Sequence, residues 1–238
     1  MIVWLASFPR SGNTLLRIIL NSVFGLSTST IYSGPKAGVN PIYDEMNRLI
    51  GDVEPSGSLA ELQASPQVHF VKTHEIASPD DGNPAVYVLR DGRDALVSYA
   101  HFARAYESAH HSRLSFDQSL ELLIRSQDHF GGWSRHVLTW SARTAPTSIV
   151  RYQELLDRPV ETVLAAFKKI EVVLPNASGG MPDFEELKRA IPEFFRKGQS
   201  GAWKTEMTAE LQELFLSIHG EAMRRFAYLP SEWPVEAR

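Results

Sequence analysis

The chain has 238 residues, 43% of them hydrophobic and 22% charged, the proportions of a folded globular protein and not of a disordered, collagenous or coiled-coil one. It contains no cysteine, which excludes disulfides, thiolate zinc sites, iron–sulfur clusters and cysteine nucleophiles. A formal net charge of −4, no basic leader before the first apolar stretch and no uncharged apolar run near the ~18 residues that cross a bilayer set the expectation of a cytoplasmic protein. Nucleic-acid and membrane partners are not expected, and any anion site must be local.

Ile2–Ser7 is a short apolar run of β-formers, broken by Phe8-Pro9-Arg10-Ser11-Gly12-Asn13, and predicts a buried strand. From Thr14, the residues Leu15, Leu16, Ile18, Ile19, Leu20, Val23 and Phe24 recur at helical spacing until Gly25, a C-terminal stop. Residues 27–66 are rich in Ser, Thr, Gly and Pro, with weak periodicity apart from a short helix over Tyr43–Ile50, and read as a surface excursion suited to a substrate lid. Further strands are predicted at Val68–Lys72, Ala85–Leu89 and Ser148–Arg151. Helices are predicted at Asp94–Tyr106, Ser115–Thr139, Val160–Ile170, Phe184–Ala190 and Thr208–Phe226. Strands alternating with helices imply one α/β domain over residues 1–238, three layers with a central parallel sheet flanked by helices.

Chemistry-bearing residues cluster at the turns. Arg10, Ser11, Gly12, Asn13 and Thr14 lie where a strand feeds a helix, so free amides and the helix dipole favour an anion there. The pattern G-x-x-x-x-G-K-[ST] is absent. A variant phosphate loop and an ordinary turn, with Ser11 or Asn13 capping the helix and Arg10 in solvent, both remain open. Lys72-Thr73-His74 and Arg90, with Ser98 eight residues on, sit at predicted strand ends, where open α/β sheets bind ligands. Arg196-Lys197-Gly198, followed by Gly201, Trp203 and Lys204, combines cations and glycines as a phosphate grip does. Each also has a plain reading: Arg90 paired with Asp94 on the surface, Lys72 a solvated strand end, His74 a structural histidine.

In this order the four clusters resemble the sulfotransferases that use 3′-phosphoadenosine 5′-phosphosulfate (PAPS). Phe8-Pro9-Arg10-Ser11-Gly12-Asn13-Thr14 is similar to the family's 5′-phosphosulfate loop Tyr-Pro-Lys-Ser-Gly-Thr-Thr, and Lys72-Thr73-His74 to its Lys-Thr-His. Arg90 and Ser98 match its 3′-phosphate pair. Arg196-Lys197-Gly198 looks like the start of its closing Arg-Lys-Gly-x-x-Gly-Asp-Trp-Lys segment, and Tyr152 and Phe184 resemble its adenine contacts. The chain departs at Arg10, usually lysine, at Ala202, usually aspartate, and at Leu15, where cytosolic members often carry an adenine-stacking tryptophan.

The resemblance implies a P-loop-like fold and transfer of a sulfuryl group from PAPS to a hydroxyl or amine of a small-molecule acceptor. Displacement would be in line, leave adenosine 3′,5′-bisphosphate and need no metal. It implies that His74 accepts the acceptor's proton, a role that a neutral imidazole fills without needing a large pKa shift, and that Arg10 and Lys72 stabilise charge. Arg10, Ser11, Gly12, Asn13, Thr14, Arg90, Ser98, Tyr152, Phe184, Arg196, Lys197 and Gly198 would hold the donor. Tyr32, Tyr43, His101 and Phe102 are candidates for the acceptor pocket, while His110, His111, His129 and His136 are assigned to surface or packing. Two rival readings are an ATP-dependent small-molecule kinase, which expects a lysine-bearing triphosphate loop, and a non-catalytic nucleotide-binding module of the same fold.

Overall fold

In the computed structural model, which describes residues 1–32, 41–107, 109–190 and 200–230 apart from the side chains of 41–43, 107 and 184, five parallel strands form one sheet. Its order is β2 (Ser29–Thr30), β3 (His69–Thr73), β1 (Ile2–Ser7), β4 (Ala85–Leu89), β5 (Thr147–Arg151). The first strand is therefore central, with Ala6 opposite Thr73 on one side and Ser7 opposite Val88 on the other. The chain leaves β1 toward one sheet edge and later crosses to the other. That reversal opens a crevice at the C-terminal strand ends.

Both faces of the sheet are covered, and successive side chains alternate between them. Val3, Leu5, Val86, Val88 and Val150 pack against Leu16, Ile19 and Leu20 of α1 (Asn13–Phe24) and Phe167 of α8 (Pro159–Lys169). Trp4, Ala6, Tyr87, Leu89 and Ile149 face the other way. They meet α4 (Gly92–Phe102), α5 (Phe116–Ile124), α6 (Trp133–Ser141) and α11 (Ala209–Arg225). Because neither face meets water, the strands read as apolar runs, and two of them, Ile2–Ser7 and Ala85–Leu89, have the predicted bounds.

The long helix expected over Ser115–Thr139 is instead α5 and α6, separated by a loop. The chain turns there through left-handed residues Ser126, Gly131 and Gly132, with φ of 59°, 75° and 79°. Asp128 Oδ1 holds the turn by accepting from Phe130 N at 2.6 Å and Gly132 N at 3.3 Å. The expected excursion is also more structured than its composition suggests. It supplies β2 to the sheet edge, then α2 (Pro41–Leu49) and the short α3 (Leu59–Ala64), which a Ser58–Glu61 capping box starts. Met46, Leu49 and Ile50 pack on Ile18 of α1 and Leu187 of α9 (Phe184–Ala190). Short helices α7 (Tyr152–Asp157) and α10 (Trp203–Glu206) were not foreseen. Among the described residues no helix is long and apolar enough to cross a membrane.

One buried ion pair ties this excursion to the sheet's own helix. Arg17 of α1 pairs with Asp52, and its Nε donates to Thr28 Oγ1 at 2.7 Å; Thr28 in turn donates to Ile50 O at 3.0 Å. Burial pushes the Arg17 pKa down and Asp52 opposes the shift. Asp52→Ala leaves a buried guanidinium without its counter-charge and is expected to lower unfolding free energy by roughly 1–3 kcal/mol. Urea titration reads the loss, and an unchanged midpoint would contradict the assigned role.

Candidate active site

The β1 ladder ends at Ser7, and the turn beyond it has features that favour an anion. Arg10 adopts a left-handed φ of 62°, and Gly12, at φ 110°, is the N-cap of α1. That helix has neither a side-chain cap nor an acid in its first turn. The ordinary-turn reading fails here because Asn13 does not cap; its Nδ2 donates down to Leu5 O at 2.8 Å. Ser11 Oγ is buried with no hydrogen-bond partner. A buried hydroxyl without a partner, at the positive end of an uncapped helix, fits the oxygens of a phosphate or sulfate group. Thr14 follows in the first turn, partly exposed.

Arg90, Ser98 and Tyr152 come to this turn from three other elements. Arg90 Nη1 donates to Arg10 O at 2.9 Å, and its guanidinium carbon lies 4.5 Å from the Tyr152 ring centre. Arg10 Nε donates to Ser98 Oγ at 3.3 Å, with its guanidinium 5.0 Å from the centre of the Phe102 ring. Tyr152 also closes on the turn itself: a Cβ at Gly12 would come within 2.5 Å of its Cδ2. Asp94, the surface partner offered for Arg90 above, is buried and accepts from Gly201 N at 2.7 Å and Trp203 N at 3.3 Å. It seats the residues around Ala202 against α4, where Arg93 lies 3.8 Å from the Trp203 ring centre. Arg196, Lys197 and Gly198 lie outside the described residues, as does the side chain of Phe184. Leu15 is buried in the apolar layer under the sheet.

His74 stands just past β3, beside the anion turn. Its Nδ1 is 2.7 Å from Ser7 O, a carbonyl that can only accept, so Nδ1 carries the proton and Nε2 keeps its lone pair. The role needs no large pKa shift, yet this imidazole carries one. Burial, then the charge of Lys72, hold the His74 pKa well below the ordinary 6.5. Lys72 is no solvated strand end either. Burial, reinforced by Arg17 and Arg10 and opposed by Asp52, brings its pKa down to about 8, and its ammonium lies 5.4 Å from the Tyr32 ring centre.

Aromatic side chains surround this pair. Tyr32 stacks on His74 with ring centres 6.1 Å apart, and its hydroxyl accepts from His74 N at 2.7 Å while donating to Glu75 Oε1 at 3.1 Å. Phe130 stands edge-on to His74 at 5.7 Å and to Tyr32 at 6.3 Å. Of the pocket candidates, Tyr32 and Phe102 thus join the site. The Tyr43 side chain is outside the described residues. His101 pairs with Glu206 at 2.6 Å and packs on Phe116 at 4.6 Å.

His136 is a packing residue, against Phe8 and Tyr87, that also makes hydrogen bonds the sequence did not suggest. It is buried, with Nε2 2.8 Å from His74 O and Nδ1 2.9 Å from Tyr87 Oη, and burial lowers its pKa to about 4. Sequence reasoning missed Phe130, Tyr87 and Glu75 altogether. Phe130 falls in the loop that the apolar spacing disguised as helix, and Tyr87 reads as one more β-former.

The sequence matches the sulfotransferase domain family over residues 2–227. The chain belongs to that family. It is a sulfotransferase, and sulfuryl transfer from PAPS is the chemistry its site has to support. It is 25% identical over 249 residues to sulfotransferase 1A1 of the dog, Canis lupus familiaris, covering 92% of this chain and 82% of the dog protein. It is 24% identical to flavonol 3-sulfotransferase of Flaveria bidentis, covering 89% of this chain and 78% of that one. A crystal structure of mouse sulfotransferase SULT7A1 complexed with PAP shares the fold, with a TM-score of 0.64, 19% identity and coverage of 95% of this chain and 88% of the mouse chain.

In this sulfotransferase the Tyr152 ring leaves no room for a side chain at Gly12. Gly12→Ala is expected to cost roughly 1–3 kcal/mol of stability through its positive φ and, by displacing Tyr152, to weaken adenosine 3′,5′-bisphosphate. Denaturant titration and calorimetry measure the two effects, and a variant indistinguishable from wild type in both would refute the packing described.

Proposed function

We propose that the crevice beyond β1, β3 and β4 transfers a sulfuryl group from PAPS to a hydroxyl or amine of a small-molecule acceptor, with His74 as general base. The observation that carries this reading is the pinned imidazole: Nδ1–H is held by Ser7 O, Nε2 is open, and the uncapped turn at Ser11 and Gly12 lies at the same sheet end. When bound, PAPS supplies an electrophilic sulfuryl group on a weakly basic bisphosphate leaving group. The amides and hydroxyls of Ser11, Gly12, Asn13 and Thr14 would hold its 5′ end, Arg90 and Ser98 its 3′-phosphate and Tyr152 its base. Arg196, Lys197, Gly198 and Phe184 would complete that grip.

The roles follow from the chemistry of the groups. His74 Nε2 takes the acceptor's proton as its oxygen or nitrogen attacks; the Ser7 hydrogen bond keeps the ring turned for this and supports the imidazolium formed. Arg10 does not give up a proton, so its part is electrostatic, as is that of Lys72 while charged. Tyr32, Phe130 and Phe102 would line the acceptor side. That one similar protein is a flavonol sulfotransferase supports a small organic acceptor. The absence of cysteine from all 238 residues suits a reducing cytoplasm.

His74→Ala is expected to lower turnover about 10²- to 10⁴-fold, the effect of a lost general base, with calorimetric binding of adenosine 3′,5′-bisphosphate retained. Near-normal turnover would refute the role. The pH profile carries a second test. His74 acts deprotonated, so kcat/KM falls as pH drops through its lowered pKa, on a limb below pH 6.5. Lys72 acts protonated, so kcat/KM falls again as pH rises through about 8. Lys72→Arg, which stays charged, moves only the alkaline limb upward; a limb that stays put removes Lys72 from the account.

A further inference from the structure

Past the end of β3 no strand among the described residues satisfies the peptides of His74 and Glu75, and four side chains do it instead. Tyr32 Oη takes His74 N–H at 2.7 Å, Thr73 Oγ1 takes Glu75 N–H at 3.0 Å, and Trp140 Nε1 donates to Glu75 O at 2.9 Å. The fourth contact is the unusual one. His136 Nε2 donates to His74 O at 2.8 Å, and Tyr87 Oη donates to His136 Nδ1 at 2.9 Å. Because Nδ1 is occupied as an acceptor, the His136 proton is fixed on Nε2, the tautomer that can reach the carbonyl.

His136 and Trp140 are four apart on α6, one face of one helix, so α6 grips two consecutive carbonyls. Phe8 closes over the imidazole edge-on at 5.6 Å, and His136 is fully buried. A buried polar side chain is retained at a cost unless its hydrogen bonds fix something. Here they fix the peptide of the residue whose ring is held by Ser7 O.

We propose that His136, locked by Tyr87, is a positioning residue for the reaction: it holds the His74 peptide so that the imidazole presents Nε2 to the acceptor. The proposal rests on His74 being the base. Position 136 separates positioning from packing because two polar substitutes differ in reach. Glutamine carries its amide to where the His136 Nε2–H donates, whereas asparagine is one methylene short.

The experiment compares His136→Asn, His136→Gln and His74→Ala for kcat, for calorimetric binding of adenosine 3′,5′-bisphosphate and for thermal unfolding. His136→Asn is expected to lose about 10- to 100-fold in kcat, the scale of a misaligned catalytic group, with bisphosphate affinity unchanged; His136→Gln recovers most of the loss. Two results overturn the proposal: wild-type kcat in His136→Asn while His74→Ala is inactive, or a parallel fall of kcat and binding stoichiometry in both position-136 variants. Near-normal turnover in His74→Ala instead overturns the base assignment and the inference with it. Should His136→Asn fail to fold, Tyr87→Phe takes its place, losing kcat in the same direction if the proposal holds and matching wild type if it does not.

Discussion

A parallel ladder stops abruptly, and the peptide groups just beyond it must be satisfied without a neighbouring strand. In this sheet the ladder ends near Ser7, Thr73 and Leu89. Ser7 O takes the His74 imidazole, Arg10 O takes Arg90, Arg90 O takes Trp133 at 3.2 Å and Leu89 O takes Tyr228 at 3.4 Å. Leaving such groups unpaired costs about 1–3 kcal/mol each. Two of these four side chains, His74 and Arg90, are also ones proposed for the reaction, so satisfying the backbone and arranging the candidate site are partly one act of folding.

The same crowding sets the electrostatics. Arg10, Arg17, Lys72 and Arg90 gather at one sheet end of a chain whose net charge is −4, with the Arg17 charge balanced by Asp52. Desolvation and mutual repulsion favour the neutral forms of Lys72 and His74, which for a base means readiness at neutral pH and for a charge stabiliser means a narrow margin. A site that holds cations at such cost is complementary to a multiply charged anion. The partnerless Ser11 hydroxyl and the uncapped α1 are where the proposed function puts that anion.

Legibility in the sequence followed burial. β1 and β4 are apolar on both faces and announce themselves, whereas β2 is Ser29–Thr30, two polar residues whose strand character comes only from pairing with β3. Phe116, Leu120, Leu123, Ile124, Trp133 and Val137 keep helical spacing across a loop, and Gly131-Gly132 was the overlooked signal against one helix. Of the candidate site residues, Arg10, Lys72, His74 and Arg90 were legible because each sits in a short motif at a strand end, while Ser98 on α4 and Tyr152 at the start of α7 were reached through the family resemblance. His136 was not legible, since its significance lies in a carbonyl 62 residues away. The His74 shift was equally hidden, because desolvation is a property of the packed environment and not of the motif.

The proposed reaction requires that turns distant in sequence form one cradle reading both ends of a doubly phosphorylated adenosine. Calorimetry comparing adenosine 3′,5′-bisphosphate with adenosine 5′-monophosphate, on wild type and Arg90→Ala, tests it most directly. Wild type is expected to prefer the bisphosphate by roughly 1.5–3 kcal/mol, the worth of a charged hydrogen bond, and Arg90→Ala to remove most of that preference while leaving the monophosphate's affinity in place. Equal affinities in wild type, or a preference that survives in Arg90→Ala, would contradict it.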